Sequence, residues 1–268
     1  MTHSPVFDFK AGTLPLLISI PHLGSIIPDD LLGDYSDVAR IVADTDWHLD
    51  QLYDFAAQAG ASMLSARVSR YVIDLNRPPS GESLYPGQTT TGLCPTETFR
   101  GEPLYADRNG PYPEAIAKRL DAFHAPYHAK LRETLDALKV EFGQVLLWEA
   151  HSIASVLPRL FDGKLPDLNL GTNAGRSCAP QVLDAITATL GNQPFTWVAN
   201  GRFKGGYITR EYGRPHEGVH AIQLEMCQSI YMDENTPFAY RPDLAARVKP
   251  VVKNMVEAAL NAVQRLPR

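Results

Sequence analysis

The stretch 146–152, LLWEAHS, constrains the chain more than any other. Leu146, Leu147 and Trp148 are three uninterrupted apolar residues that read as a strand buried on both faces, and the strand runs straight into Glu149, Ala150 and His151. In open α/β sheets the carboxyl ends of such strands form the ligand crevice. Two further segments repeat the pattern: LPLLISIPH ends in His22, and HAIQLEMC carries Glu225 after Ala221, Ile222 and Leu224. Three strands then deliver two histidines and a carboxylate to one rim. Neutral imidazoles bind zinc and a free carboxylate activates water beside it, so the set points to metal-assisted hydrolysis.

At 268 residues the chain is long enough for one large α/β domain, and we read 1–268 as a single catalytic domain. No apolar run approaches the roughly 18 residues of a bilayer span, and the segment MTHSPVFDFKAG has neither a basic nor an apolar leader region, so the expectation is a cytoplasmic protein without a membrane partner. A net charge of -5 without long basic runs excludes a nucleic-acid footprint. Cys94, Cys178 and Cys227 are an odd number with no CxxC spacing, which argues against a disulfide scaffold and against a thiolate zinc site. The sequence is silent on oligomeric state.

Residues 1–13 read as an irregular lead-in and 15–20 as the first core strand; Gly24, just past His22, allows a positive φ or a close backbone approach. After Asp44 and Asp46, apolar positions at Leu49, Leu52, Tyr53, Ala56 and Ala57 predict a helix closed by Gly60, with one of the two aspartates as its N-cap and the other as a possible ligand. Residues 61–75 read as short strands leading into SRYVIDLNRPP, where Arg77, in a loop stiffened by two prolines, suits capture of a carboxylate. The Gly-, Pro- and Thr-rich stretch 80–111 is too long for a plain connection and reads as a flap over a site. A long helix is predicted over 112–142, kinked at Pro126 and ended by Gly143. It carries His124 and His128, which lack an HExxH context and read as core-edge residues. Beyond the central strand, short strands at 168–171 and 195–200, a helix over 179–190 and a terminal amphipathic helix from 243 onward complete the pattern. In the loop GRFKGGYITREYGRPHEG, Arg210 and His216 stand close before the strand of Glu225.

The motifs IPHLG (20–24), DTDWHLDQLYD (44–54), SRYVIDLNRPP (69–79), WEAHS (148–152), GGYITREYG (205–213) and HAIQLEM (220–226) occur in one order along nearly the whole chain. In this collinear set the chain resembles the N-formylglutamate amidohydrolase family. The resemblance implies a zinc-carboxypeptidase-like (phosphorylase/hydrolase-like) three-layer sandwich, with a mixed central sheet of about eight strands flanked by helices. It also implies hydrolysis of N-formyl-L-glutamate to formate and L-glutamate, the last step of histidine degradation. By the wider superfamily's pattern, His22 and His151 match the metal histidines, Glu225 the base, and Asn76 with Arg77 the clamp for a substrate carboxylate. Carboxypeptidases carry a glutamate three residues after the first histidine, where this chain has Ser25, so Asp46 or Asp44 is left to complete the Zn2+ site.

On this reading Glu225 moves the proton, Arg70 or Arg210 faces the developing oxyanion, and Arg100, Arg210 or Arg214 serves the second carboxylate of a small dicarboxylate-type substrate. His216 is a further candidate contact. Two other readings fit the same residues: an aspartoacylase- or carboxypeptidase-like enzyme on another acyl-amino acid, and a non-catalytic dicarboxylate-binding protein, which would have no use for Glu225. Cys227 as a nucleophile is the weakest alternative, since no positive neighbour is evident to lower its pKa.

Overall fold

The computed structural model describes residues 5–84 and 87–267. Seven strands form one mixed sheet among these residues: β1 (Phe7–Lys10), β2 (Leu16–Ile20), β3 (Ser62–Ala66), β4 (Val145–Ile153), β5 (Leu168–Gly171), β6 (Trp197–Ala199) and β7 (Val219–Cys227). Their spatial order is β1-β3-β2-β4-β7-β5-β6. The central four, β3, β2, β4 and β7, are parallel, while β1 and β5 pair antiparallel at either side. Seven α-helices accompany them among the described residues: α1 (Leu49–Leu52), α2 (Asp54–Ala59), α3 (Pro113–Arg119), α4 (Ala125–Phe142), α5 (Pro180–Ala188), α6 (Tyr207–Tyr212) and α7 (Pro242–Gln264).

Alternation along the central strands divides the core. Ile18, Trp148, Ile222 and Leu224 face α5 and α7, whose Val182, Ile186, Val248, Val252 and Met255 close one layer. Leu17, Leu147 and Ala221 face α4, with Tyr127, Leu131 and Leu135 closing the other. Strands covered on both sides lose polar alternation, which is why β4 and β7 are buried along their full length. The arrangement is the three-layer α/β sandwich expected, with seven strands rather than about eight.

Several local expectations change. Residues 7–10 form edge strand β1 on β3 instead of an irregular lead-in. The helix over 49–59 breaks into α1 and α2, and neither Asp44 nor Asp46 caps it: the N-cap of α1 is His48, with φ 62° and no side-chain cap bond. The long helix over 112–142 is interrupted by a π-helical turn at Leu120–His124, and Pro126 stands in the first turn of α4, where a missing N–H costs nothing. The loop after residue 200 contains α6, too short to show a period. Strand β4 does not stop at Glu149, because β7 continues pairing beside it as far as Ile153.

Candidate active site

The register of the central strands assembles the site. In parallel strands β4 and β7, Glu149 lies opposite Gln223 and His151 opposite Glu225, and Ser19 of β2 lies opposite Glu149. Residues two apart share a face, so Glu149 and Gln223 form one polar row above the α4-side core, and His151 and Glu225 form the next row, at the rim. His22, two residues past the end of β2, reaches the same rim. The turn behind Gly24 brings it there: a Cβ on Gly24 would lie 2.2 Å from the Val68 carbonyl oxygen, so the position needs close backbone approach, not a positive φ.

His22, Asp46 and His151 offer ligand atoms that all lie within 4.8 Å of one another, and all three residues are buried. Each imidazole is fixed through its other nitrogen. His22 Nε2 donates to Asp74 Oδ1 at 2.6 Å, and His151 Nε2 donates to Glu149 Oε1 at 2.8 Å. The Nδ1 atoms therefore turn toward Asp46, at 3.8 Å from His22 and 3.0 Å from His151. Asp46 Oδ1 is buried with no hydrogen-bond partner, an expensive state for a carboxylate oxygen unless a cation joins it. Two imidazole nitrogens backed by carboxylates and one carboxylate oxygen with an unmet acceptor fit a divalent metal ion.

The electrostatics follow this wiring. Burial and the nearby Arg70 guanidinium lower the pKa of His22, and Arg70 Nη1 donates to its Nδ1 at 3.2 Å. For His151 burial opposes the charge, but Glu149 and Asp46 overcome it and raise the pKa well above the usual value. Burial also opposes the charge of Asp74, yet Arg77, His22 and Arg70 hold its carboxyl well below the ordinary range. Glu225 is buried, and desolvation raises its proton affinity; the charges of Asp46 and Glu149 add to the rise, against His151 and Arg70.

One cavity opens over these groups. His22, Arg70, Asn76, Arg77, His151 and Glu225 line it, as do Thr89, Thr90, Thr91 and Phe99 from the 80–111 stretch, so the described part of that stretch does cover the site. Residues 85 and 86 lie outside the described residues. The Arg70 guanidinium, bonded to Asp74 Oδ2 at 2.6 Å, lies over the Phe99 ring at 4.6 Å. Asn76 lines the cavity but its amide is engaged: Nδ2 is 3.0 Å from His151 Nε2, and Oδ1 accepts the Ile208 N–H at 2.9 Å. A Cβ on Gly206 would lie 2.3 Å from that amide, so α6 can dock on Asn76 only with glycine there. Asp44 accepts the Phe99 N–H at 2.7 Å and ties down the flap.

Four other residues named from the sequence do not line the cavity. Arg214 and His216 sit by the turn before β7 beside Glu217, and His216 is largely exposed. Arg100 is exposed. Arg210 donates to the Gly205 and Leu84 carbonyl oxygens. The short helix α6 and the turn after it carry Arg210, Arg214 and His216 away from the rim, which sequence proximity to β7 does not show. Glu149, the other buried carboxylate on β4, has both oxygens occupied, by His151 and by the Thr209 hydroxyl at 2.6 Å. Burial pushes the Cys227 thiol up to about 12, which removes it as a nucleophile at neutral pH.

The sequence reading missed Asp74, Thr209, Gln223 and Arg202. Asp74 did leave a signal, a lone carboxylate within the apolar run Val72, Ile73 and Leu75.

Fold and rim together define an α/β protein with a mixed sheet, a buried His-Asp-His group and a separate carboxylate beside it. The sequence model described as N-formylglutamate amidohydrolase matches residues 14–232. The chain is 50% identical over 258 residues to the N-formylglutamate deformylase of Pseudomonas aeruginosa, covering 95% of this chain and 96% of that one. It is 49% identical over 256 residues to the same-named protein of Pseudomonas putida, with the same coverage. The crystal structure of an N-formylglutamate amidohydrolase from Ralstonia eutropha JMP134 superposes with a TM-score of 0.77 at 25% identity, over 96% of this chain and 97% of that one. A gene product of Agrobacterium tumefaciens shares the fold, with a TM-score of 0.71 at 17% identity over 95% of each chain. The chain belongs to the N-formylglutamate amidohydrolase family.

Proposed function

We propose that the chain hydrolyses the formamide bond of N-formyl-L-glutamate to formate and L-glutamate, with a divalent ion held by His22, Asp46 and His151. The donor set of two imidazoles and one carboxylate favours zinc. Such an ion supplies Lewis-acid chemistry, polarising a carbonyl and acidifying water. The chain's own residues do the rest. Glu225, the carboxylate with its proton affinity raised by burial, takes the proton of the attacking water and passes it to the leaving amine nitrogen. Arg70 stands beside His22 and offers positive charge to the oxyanion as it forms. Arg77, lining the same cavity, takes one substrate carboxylate.

The observation that carries this reading is the position of Glu225 directly across from His151 on the neighbouring strand, beside the His-Asp-His group and facing the same arginine-lined cavity. A dicarboxylate-binding protein without catalysis would gain nothing from a buried acid there. We further place the reaction at the end of histidine degradation in the cytoplasm, in keeping with three cysteines that are all unpaired. No helix of the described residues is long and apolar enough to cross a membrane. The test is release of formate and L-glutamate in equal amounts from N-formyl-L-glutamate, before and after chelation and on adding back zinc. Formate release that survives complete metal removal would exclude the metal, and none under any condition would exclude the substrate.

A further inference from the structure

The cavity holds a third cation besides the Arg70 and Arg77 guanidiniums. Arg202, on the loop between β6 and α6, lines it together with His151 and Glu225. Its Nη1 donates to Gln88 Oε1 at 2.6 Å and its Nη2 to the Thr89 carbonyl oxygen at 3.1 Å. Arg77 makes the matching contacts two residues further along the flap: Nε donates to the Thr91 carbonyl oxygen at 2.9 Å and Nη2 to Thr91 Oγ1 at 3.1 Å.

We propose that Arg202 is the specificity-determining residue that receives the side-chain carboxylate of the substrate, while Arg77 receives the carboxylate next to the formylated nitrogen. The inference rests on the N-formyl-L-glutamate reading above.

Spacing supports the pair. Two residues of extended chain span at most about 7 Å, so the flap residues that hold the two guanidiniums, Thr89 and Thr91, lie within that distance of each other. The carboxyl carbons of glutamate are joined by four carbon–carbon bonds and reach about 5 Å, with their oxygens extending beyond at each end.

Chemistry supports the exchange. The flap acceptors named above for Arg77 and Arg202 are neutral carbonyl, amide and hydroxyl oxygens, and Arg77 also keeps the Asp74 carboxylate 3.7 Å away. A carboxylate accepts from guanidinium through shorter, charge-assisted bonds about twice as strong, and bidentate ones where the fork is matched. A dianion entering the cavity therefore displaces the weaker flap contacts without leaving either cation unpaired. Of the arginines considered for the second carboxylate from the sequence, Arg100, Arg210 and Arg214 do not line this space.

The competing role for Arg202 is a simple latch on the flap, which would serve every substrate alike. The experiment compares kcat/KM for N-formyl-L-glutamate with that for N-formyl-L-glutamine, the neutral isostere, in the wild type, Arg202→Gln, Arg202→Lys and Gln88→Ala. The expected result is a wild-type preference for the glutamate derivative that falls about 10- to 100-fold in Arg202→Gln, the loss expected for a charged hydrogen-bond pair. Arg202→Lys, which keeps the charge and loses the fork, should fall between, and it carries the test alone should Arg202→Gln not fold. Gln88→Ala, which loosens the latch and leaves the cation, should keep the preference. An equal loss on both substrates in the Arg202 variants, or a preference they retain in full, overturns the proposal while leaving the parent reaction intact. A wild type inactive on N-formyl-L-glutamate overturns the parent reading instead.

Discussion

Asp74 Oδ1 accepts the Nε2 proton of His22 at 2.6 Å while Asp74 Oδ2 accepts from Arg70 at 2.6 Å, so one buried carboxylate orients both an imidazole of the His-Asp-His group and the guanidinium beside it. Its Oδ1 also accepts the Asn76 N–H at 2.9 Å, which fixes the turn into Arg77. Asp74→Asn keeps the shape but offers His22 and Arg70 a neutral partner. Loss of such a supporting carboxylate lowers metal affinity by about 10- to 100-fold. Competition with a chelating dye should show that loss with the fold unchanged; unaltered affinity would mean that His22 is held without Asp74.

Asp44 and Asp46 separate cleanly. Asp46→Ala removes the carboxylate that both His22 and His151 face, and should abolish stoichiometric metal. Asp44→Ala should keep the metal but strand the buried Phe99 N–H, costing about 1–3 kcal/mol. Metal analysis and thermal melts on the two variants check this, and an Asp44→Ala protein without metal would reverse the assignment.

His128 supplies a pH dependence remote from the metal group. Burial, with the charge of His124 beside it, lowers its pKa from 6.5 to about 3; it is held between the Leu75 carbonyl oxygen at 2.8 Å and the Tyr212 hydroxyl at 2.9 Å. The folded pKa lies below the unfolded one, so between these values the unfolded chain binds the extra proton. Stability is therefore full above about pH 6.5 and falls as the pH drops toward 3. At pH 5 the loss is roughly 1–2 kcal/mol. Comparing Tm at pH 7 and pH 5 should show a smaller drop in His128→Gln than in the wild type; equal drops would contradict the burial argument.

How far this was legible depends on range. The rim residues His22, His151 and Glu225 stood out because each follows or ends an apolar run, and a strand presents its polar exceptions at known periodicity. The partners that orient them did not stand out. Asp74 is 52 residues from His22 and Thr209 is 60 from Glu149, so no local pattern relates them. Edge strand β1 was hidden because its burial alternates weakly, FDFK, with only one neighbour to pair. Arg210, Arg214 and His216 misled for the converse reason: they are near β7 in sequence, but α6 and the turn after it direct them elsewhere. Arg202 drew no notice in a loop with several cations, since only the folded flap shows which of them faces the cavity.

The central claim is that Glu225 moves the proton beside a metal it does not hold. Glu225→Gln keeps the shape and a hydrogen-bonding oxygen but cannot take a proton. With metal content and formate release measured on the same samples, the account predicts wild-type occupancy and a kcat lower by about 10²- to 10⁴-fold, the range for losing a positioned base. Full metal with near-normal kcat, or metal lost together with activity, would contradict it.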